Sequence, residues 1–252
     1  MAIPVIIQIL LAVFIVSFVS FIGVTALYLK KTLNEIINYL VSFAVGGLLG
    51  AAFLDLLPEA TEKTANWGVY VLAGILLFFL IELYFHWHHH HTHIKCAHKH
   101  VHPMGYLNLI GDGVHNFIDG MIVAASFLVS IPLGIVTTLA VIMHEIPQEF
   151  GDFGILIYSG FTKTKALLFN FASALLAVAG ALAAFFFSEI TGDFSAYLIP
   201  FAAGGFIYLA SADLLPEIHR HQGKEIYETI AQVGLIFLGI ALIWLIGFYF
   251  KA

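Results

Sequence analysis

Residues 44–60 read AVGGLLGAAFLDLLPEA, and residues 202–218 read AAGGFIYLASADLLPEI. Nine of the seventeen positions agree at an offset of 158, including Gly-Gly and the string Asp-Leu-Leu-Pro-Glu. Both copies lie inside long apolar runs. Of the 252 residues, 61% are hydrophobic and 10% are charged, with a mean hydropathy of +0.97. A soluble domain is about 45–50% apolar and about 25% charged. Several runs approach or exceed the ~20 residues that cross a bilayer as a helix. The short alternating strands of a membrane barrel are missing from the sequence.

Eight spans follow from the apolar pattern: roughly 2–29, 36–58, 67–91, 104–129, 132–160, 164–189, 195–217 and 227–250. The N-terminal run is too long for a signal-peptide core and lacks a basic start, so it reads as the first span. Lys30, Lys31, Lys95, Lys99, Lys163, Lys165, Arg220 and Lys224 fall in alternate loops, whereas the opposite side holds only Lys63 and Lys251. By the positive-inside rule the first set faces the cytosol and both termini lie outside it. The first copy of the string then belongs to span 2 and the second to span 7, running in opposite directions. Inverted repeats of this kind build alternating-access transporters, with the binding site near the midplane. The expected fold is an all-α polytopic membrane protein of eight transmembrane helices in a 3+2+3 inverted-repeat arrangement, forming one membrane domain over residues 1–252. A plainer alternative is that Gly-Gly and Leu-Pro-Glu only pack and end helices. Each copy also carries two acids four residues apart, Asp55/Glu59 and Asp213/Glu217. They mark either the two mouths of a cation path or helix-end carboxylates touching water.

Spans 4 and 5 carry the chemistry. Span 4 contains NLIGDGVHNFIDG, residues 108–120, and span 5 contains HEIPQEFGDF, residues 144–153. Residues three or four apart share a helix face, which aligns Asn108, Asp112, His115 and Asp119, with Asn116 beside them. His144, Gln148 and Asp152 align in the same way, with Glu145 and Glu149 one residue round. Ionisable groups inside a membrane pair, bind an ion or line a wet path. Acids far outnumber bases in these seams, which contain no lysine or arginine. A divalent cation neutralises such a surplus. The mixture of imidazole, carboxylate and amide suits Zn²⁺, Fe²⁺ or Mn²⁺ rather than Na⁺ or K⁺, and the lack of thiolate argues against copper(I). Pro147 frees a backbone carbonyl one turn earlier, which a polar cavity tolerates.

Two other readings concern the same residues. His-Glu-x-x-His on a helix is a zinc-protease signature, but the fifth position here is Gln148 and a proline interrupts the motif. A hydrogen-bonded polar network of purely structural purpose is the second. No Walker motif is present to couple ATP, the net charge of −6 without a basic cluster gives no sign of nucleic acid, and the single Cys96 excludes an intramolecular disulfide framework.

HNFIDG and HEIPQEFGDF together resemble the ZIP family of divalent-metal transporters, in the branch whose fifth helix reads HEIPHE-GD. The resemblance covers nearly the whole chain, including the Leu-Pro-Glu strings and the histidine-rich loop after span 3. It implies an elevator-type carrier, not an enzyme, with a two-metal centre between helices 4 and 5. One site would use His115, Asp119, His144 and Gln148. Its neighbour would use Asn116 and Glu145, with Asp119 bridging. Some members add a carboxylate from helix 6, where this chain has Asn170. Gln148 also departs from the branch, which has histidine there. An amide is a poorer zinc ligand than imidazole, which opens the site to a harder ion. The resemblance implies Zn²⁺ as the transported ion, with Fe²⁺, Mn²⁺ or Cd²⁺ as further candidates, movement toward the cytosol, a multi-pass place in the cell membrane and a homodimer. No organic cofactor is expected. A membrane metal sensor without flux is the alternative from another class.

Residues 86–102, HWHHHHTHIKCAHKHVH, hold nine histidines and Cys96. Such a tract binds late transition metals loosely. On the cytosolic side it would act as a metal acceptor or sensor, or serve simply as a soluble linker.

Overall fold

The structure is a computed structural model that describes residues 3–22, 33–90, 103–191, 194–220 and 226–251. These residues are helical almost throughout, and there is no strand among them. Helix α1 is Val5–Val19. Helix α2 runs as Leu33–Ala51, a π-helical turn Ala52–Leu56, and Leu57–Lys63. Helix α3 is Trp67–His90, α4 is Pro103–Val129 and α5 is Ile131–Tyr158. Helix α6 comprises Lys163–Ala174 and Leu176–Thr191. Helix α7 runs as Ser195–Tyr208, a π-helical turn Leu209–Leu214, and Leu215–Arg220. Helix α8 is Ile226–Lys251.

Among the described residues, six stretches are long and apolar enough to cross a membrane: Val5–Ile22, Asn38–Lys63, Ile131–Tyr158, Lys163–Ile190, Ser195–Leu214 and Ile226–Tyr249. Trp67–Leu83 is a shorter apolar helix. Helix α4 is not one of the six. Asn108, Asp112, His115, Asn116 and Asp119 lower its hydropathy, so the polar seam itself separates α4 from the apolar helices. The expected end of the first span, residues 23–29, and the histidine-rich residues 91–102 lie outside the described residues.

Helices α1, α4, α5 and α6 pack on one another, while α2 lies along α8 and α3 along α7. The two groups meet where α5 rests on α2 and α4 on α7. Within the first group, Ser17 of α1 donates to the Ala174 carbonyl of α6 at 2.8 Å. Thr137 of α5 donates to Ser126 of α4 at 3.0 Å. The interior is built largely from alanine and small aliphatics, including Ala44, Ala51, Ala124, Ala140, Ala181 and Ala203, which lets backbones approach closely. Burial follows position in the bundle. It covers 67% of the apolar stretch of α2 and of α7, but 22% of that of α8. The outer faces display Leu72, Leu76 and Leu80 on α3 and Phe237, Trp244 and Phe248 on α8. So large an apolar surface suits hydrocarbon rather than water.

Glycines set the tightest helix contacts. A Cβ at Gly46 of α2 would stand 2.0 Å from the Ile236 carbonyl oxygen of α8, and one at Gly204 of α7 would stand 2.1 Å from that of Val71 on α3. Gly46 and Gly204 are equivalent positions in the two strings of the sequence. The return contacts agree as well: Gly239 of α8 faces the backbone of Phe43 and Gly47, and Gly74 of α3 faces that of Phe201 and Gly205. The partners on α3 and α8 are related by an offset of 165, so the α2–α8 and α7–α3 contacts use corresponding residues on both sides.

The π-helical turns obey the same correspondence. The N–H of Leu57 bonds the carbonyl of Ala52, and the N–H of Leu215 bonds that of Ala210. Both turns immediately precede the Leu-Pro-Glu of their string. Proline lacks an N–H and its ring crowds the carbonyl four residues back, so the ordinary ladder cannot continue through Pro58 or Pro216. Each copy meets this break with one wide turn, which carries Asp55 in the first copy and Asp213 in the second.

Candidate metal centre

Helix α5 runs unbroken through Pro147 and buries His144, Glu145 and Glu149. Opposite it, α4 buries Asp112, His115, Asn116 and Asp119. The i, i+3 and i, i+4 spacing in each helix stacks these groups along one seam. The close approach of α4 to α6, where a Cβ on Gly120 would stand 1.9 Å from the Ala177 carbonyl oxygen, holds that seam in the interior of the bundle.

Four side chains converge. One ligand atom each from His115, Asp119, His144 and Glu145 lies within 4.8 Å of the other three. The Nε2 atoms of His115 and His144 are 3.2 Å apart, with the rings nearly perpendicular at 87°. Asp119 Oδ2 stands 3.0 Å from His144 Nε2 and 3.5 Å from His115 Nε2. Glu145 Oε1 stands 3.6 Å from His115 Nε2 and 3.7 Å from His144 Nε2. A tetrahedron with metal–ligand arms of about 2.0–2.1 Å has edges of about 3.4 Å. These five separations bracket that value.

The surroundings orient the ligands. His144 Nδ1 contacts the Ala140 carbonyl oxygen at 3.0 Å. A carbonyl only accepts, so Nδ1 carries the proton and a neutral ring turns the lone pair of Nε2 toward the cluster. Phe78 of α3 meets His115 edge-on at 5.8 Å between ring centres, and Phe206 of α7 lies 6.0 Å from His144. Both aromatic rings are buried, so the second helix group closes the cluster with an apolar wall. Asp119 Oδ1 and Glu145 Oε1 are buried without hydrogen-bond partners. Buried oxygens in that state are costly unless something charged or polar meets them.

Of the six residues singled out in the sequence, His115, Asp119, His144 and Glu145 form this cluster. Asn116 is turned aside: its Nδ2 donates to the Asp112 carboxylate at 2.8 Å and to the Asp112 carbonyl at 3.1 Å, while its Oδ1 is buried and unpartnered. Gln148 is half-buried and approaches Asp112. The sequence reading did not anticipate the contribution of Ser173 on α6, which donates to Asp112 Oδ2 at 2.6 Å, or the wall of Phe78 and Phe206. Asn170 and Ser173 do form a polar i, i+3 pair in an apolar helix, a signal the sequence carries. The phenylalanines are indistinguishable from ordinary core residues until α3 and α7 are placed.

The family described as ZIP Zinc transporter matches residues 6–104 and 89–247. The chain is 35% identical over 230 residues to Zinc transporter ZIP13 of Pongo abelii, covering 84% of this chain and 67% of that protein. It is 33% identical over 275 residues to Zinc transporter zipt-7.2 of Caenorhabditis elegans, covering 86% and 59%. With Zinc transporter ZIP13 of Mus musculus it shares 32% identity over 256 residues, covering 84% and 70%. The chain thus spans roughly two thirds of the length of these relatives. Its apolar helices, its buried histidine–carboxylate cluster and the match along nearly its whole length agree: the chain belongs to the ZIP zinc transporter family, whose members are transporters rather than enzymes.

Proposed function

We propose that this protein carries a divalent metal ion, foremost Zn²⁺, across a cell membrane toward the cytosol, through a centre between α4 and α5. Fe²⁺, Mn²⁺ and Cd²⁺ are the further cargoes in view. The observation that carries the reading is the convergence of His115, Asp119, His144 and Glu145 at tetrahedral spacing. Two carboxylates balance the charge of a divalent ion, and two imidazoles supply the borderline-soft nitrogen that favours zinc. Asn116 and Gln148 complete the set as neighbouring ligands. The free Oδ1 of Asn116 supports its part in this, and the half-buried amide of Gln148 stands one turn beyond His144.

The same proposal includes eight spans in a 3+2+3 inverted repeat, with both termini outside the cytosol. Support comes from Gly46 and Gly204 meeting corresponding partners and from the matching π-helical turns. The separation into α1, α4, α5 and α6 on one side and α2, α3, α7 and α8 on the other supplies two bodies for alternating access, with the metal ligands on one and the apolar wall on the other. A homodimer belongs to the proposal through the family resemblance alone.

The test is uptake by purified protein in liposomes across Zn²⁺, Fe²⁺, Mn²⁺, Cd²⁺ and Co²⁺. Saturable accumulation is expected, with His144→Ala losing at least ~10-fold of it while remaining monodisperse. Saturable binding without accumulation would instead identify a sensor.

A further inference from the structure

The polar seam continues past the histidine centre, and its continuation is built differently. One to two turns away lie Asp112 on α4 and Glu149 and Asp152 on α5, and the first two meet α6 through Ser173 and Asn170. On the positive-inside orientation this is the cytosolic side. Neutral donors each hold one oxygen of these acids. Asn170 donates to Glu149 Oε2, and Asn108 donates to Asp152 Oδ1 at 3.0 Å. Asn116 and Ser173 share the Asp112 carboxylate. Both oxygens of Asp112 are thus engaged, while Glu149 and Asp152 each keep one left over. Glu149 is 1% exposed and Asn170 is 0% exposed, yet Glu149 Oε1 and Asn170 Oδ1 have no hydrogen-bond partner, and neither has Asp152 Oδ2. Glu149 lies within electrostatic reach of both Asp112 and Asp152, and Asp152 within reach of the exposed Asp213 on α7.

Helices α4 and α5 contain no lysine or arginine to balance these acids. Three carboxylates and an amide oxygen form an all-oxygen set, which suits a hard divalent cation, whereas the imidazoles of the first centre suit zinc. Among the described residues, only the histidine centre brings its ligand atoms within 4.8 Å of one another. The wider spacing of the second group fits an ion that keeps part of its water shell, since a coordinated water at about 2.1 Å bonds oxygens roughly 4 Å or more from the metal.

We propose that Asp112, Glu149, Asp152 and Asn170 form a second, oxygen-only station that holds a partly hydrated divalent cation on the cytosolic side of the histidine centre, beside Asp213. Its place on an exit path rests on the carrier reading, but binding there requires no flux. An ion leaving imidazole for this station regains water before it meets solvent.

The probe is Mn²⁺, which is hard and paramagnetic. Purified His115→Ala/His144→Ala protein is titrated with Mn²⁺ by equilibrium dialysis, and the bound ion is examined for ¹⁴N coupling by pulsed electron paramagnetic resonance. One Mn²⁺ per chain without ¹⁴N coupling is expected. Adding Glu149→Gln and Asp152→Asn should weaken its binding by roughly 10-fold or more. No bound Mn²⁺ in the histidine variant, or unchanged affinity after the amide substitutions, overturns the station. Where the histidine variant fails to stay monodisperse, wild-type protein saturated with Zn²⁺ takes its place, and Mn²⁺ that shows ¹⁴N coupling there, or does not bind, is the overturning result. Intact Mn²⁺ binding in a protein without uptake would count against the carrier reading and leave the station standing.

Discussion

At the scale of single residues, the chemistry turns on which heteroatom faces the ion. The bond between His144 Nδ1 and the Ala140 carbonyl turns Nε2 toward the cluster, as the proposed ligand atom, without help from a second side chain. Asp119 lies within 3.0–3.5 Å of both imidazoles. Replacing Asp119 with Asn keeps the shape and removes one of the two charges that would balance the proposed metal. Asp119→Asn is therefore expected to weaken Zn²⁺ binding more than a second-sphere change does, which is ~10–100-fold, as read by competition with a fluorescent chelator. Gln148 gives the opposite prediction. Gln148→His introduces imidazole one turn from His144, so the ratio of Zn²⁺ to Mn²⁺ uptake should rise. A ratio that does not change would remove Gln148 from the ligand set. The six candidate ligands were legible in the sequence because carboxylate, amide and imidazole are out of place in a lipid-spanning run. Their division into a four-membered cluster and a set bonded around Asp112 was not legible, because helical periodicity fixes a face and not the reach of each rotamer.

At the scale of the helix, the glycines and the wide turns matter most. Gly204 has the Val71 carbonyl where a Cβ would be, and backbone cannot move aside as a flexible side chain can. Gly204→Leu should destabilise the detergent-solubilised protein by at least about 1–3 kcal/mol, the usual cost of overpacking, seen as an earlier thermal unfolding midpoint. Gly151, with nothing within 4 Å of a built Cβ, provides the control, and Gly151→Ala should leave that midpoint nearly unchanged. The repeated Asp-Leu-Leu-Pro-Glu string was plain in the sequence, but the π-helical turn before each Leu-Pro-Glu was not. Proline announces that a hydrogen bond is missing, and it does not say whether the helix answers with a kink, a break or a wider turn. In α5 the answer to Pro147 differs again, since that helix continues without a wide turn.

Across the whole molecule, the prediction concerns topology. On a Cys96→Ser background, a cysteine at Thr64 between α2 and α3 should react with an impermeant thiol reagent from outside intact cells. One at Thr162 between α5 and α6 should react only after permeabilisation. The same side for both would overturn the proposed inverted relation between the two strings. Grouping of the helices was beyond the sequence. Apolar periodicity is nearly mute in α1, α3 and α8, where apolar residues surround the helix, so no face is marked for lipid or for protein.

The sequence by itself determined that this chain is a helical membrane protein, that two of its segments share nine of seventeen residues, and that two neighbouring helices carry an acidic seam fit for a divalent metal. These are consequences of composition and spacing, which act along one chain segment at a time. The tertiary structure alone decided that His115, Asp119, His144 and Glu145 meet at metal-binding distances, that α6 supplies Asn170 and Ser173 to the remaining acids, and that Phe78 and Phe206 wall the centre. Those facts depend on the rotation and axial offset of one helix against another. Backbone contacts at Gly46, Gly120 and Gly204 limit both, and such contacts between residues far apart in sequence leave no mark in local periodicity.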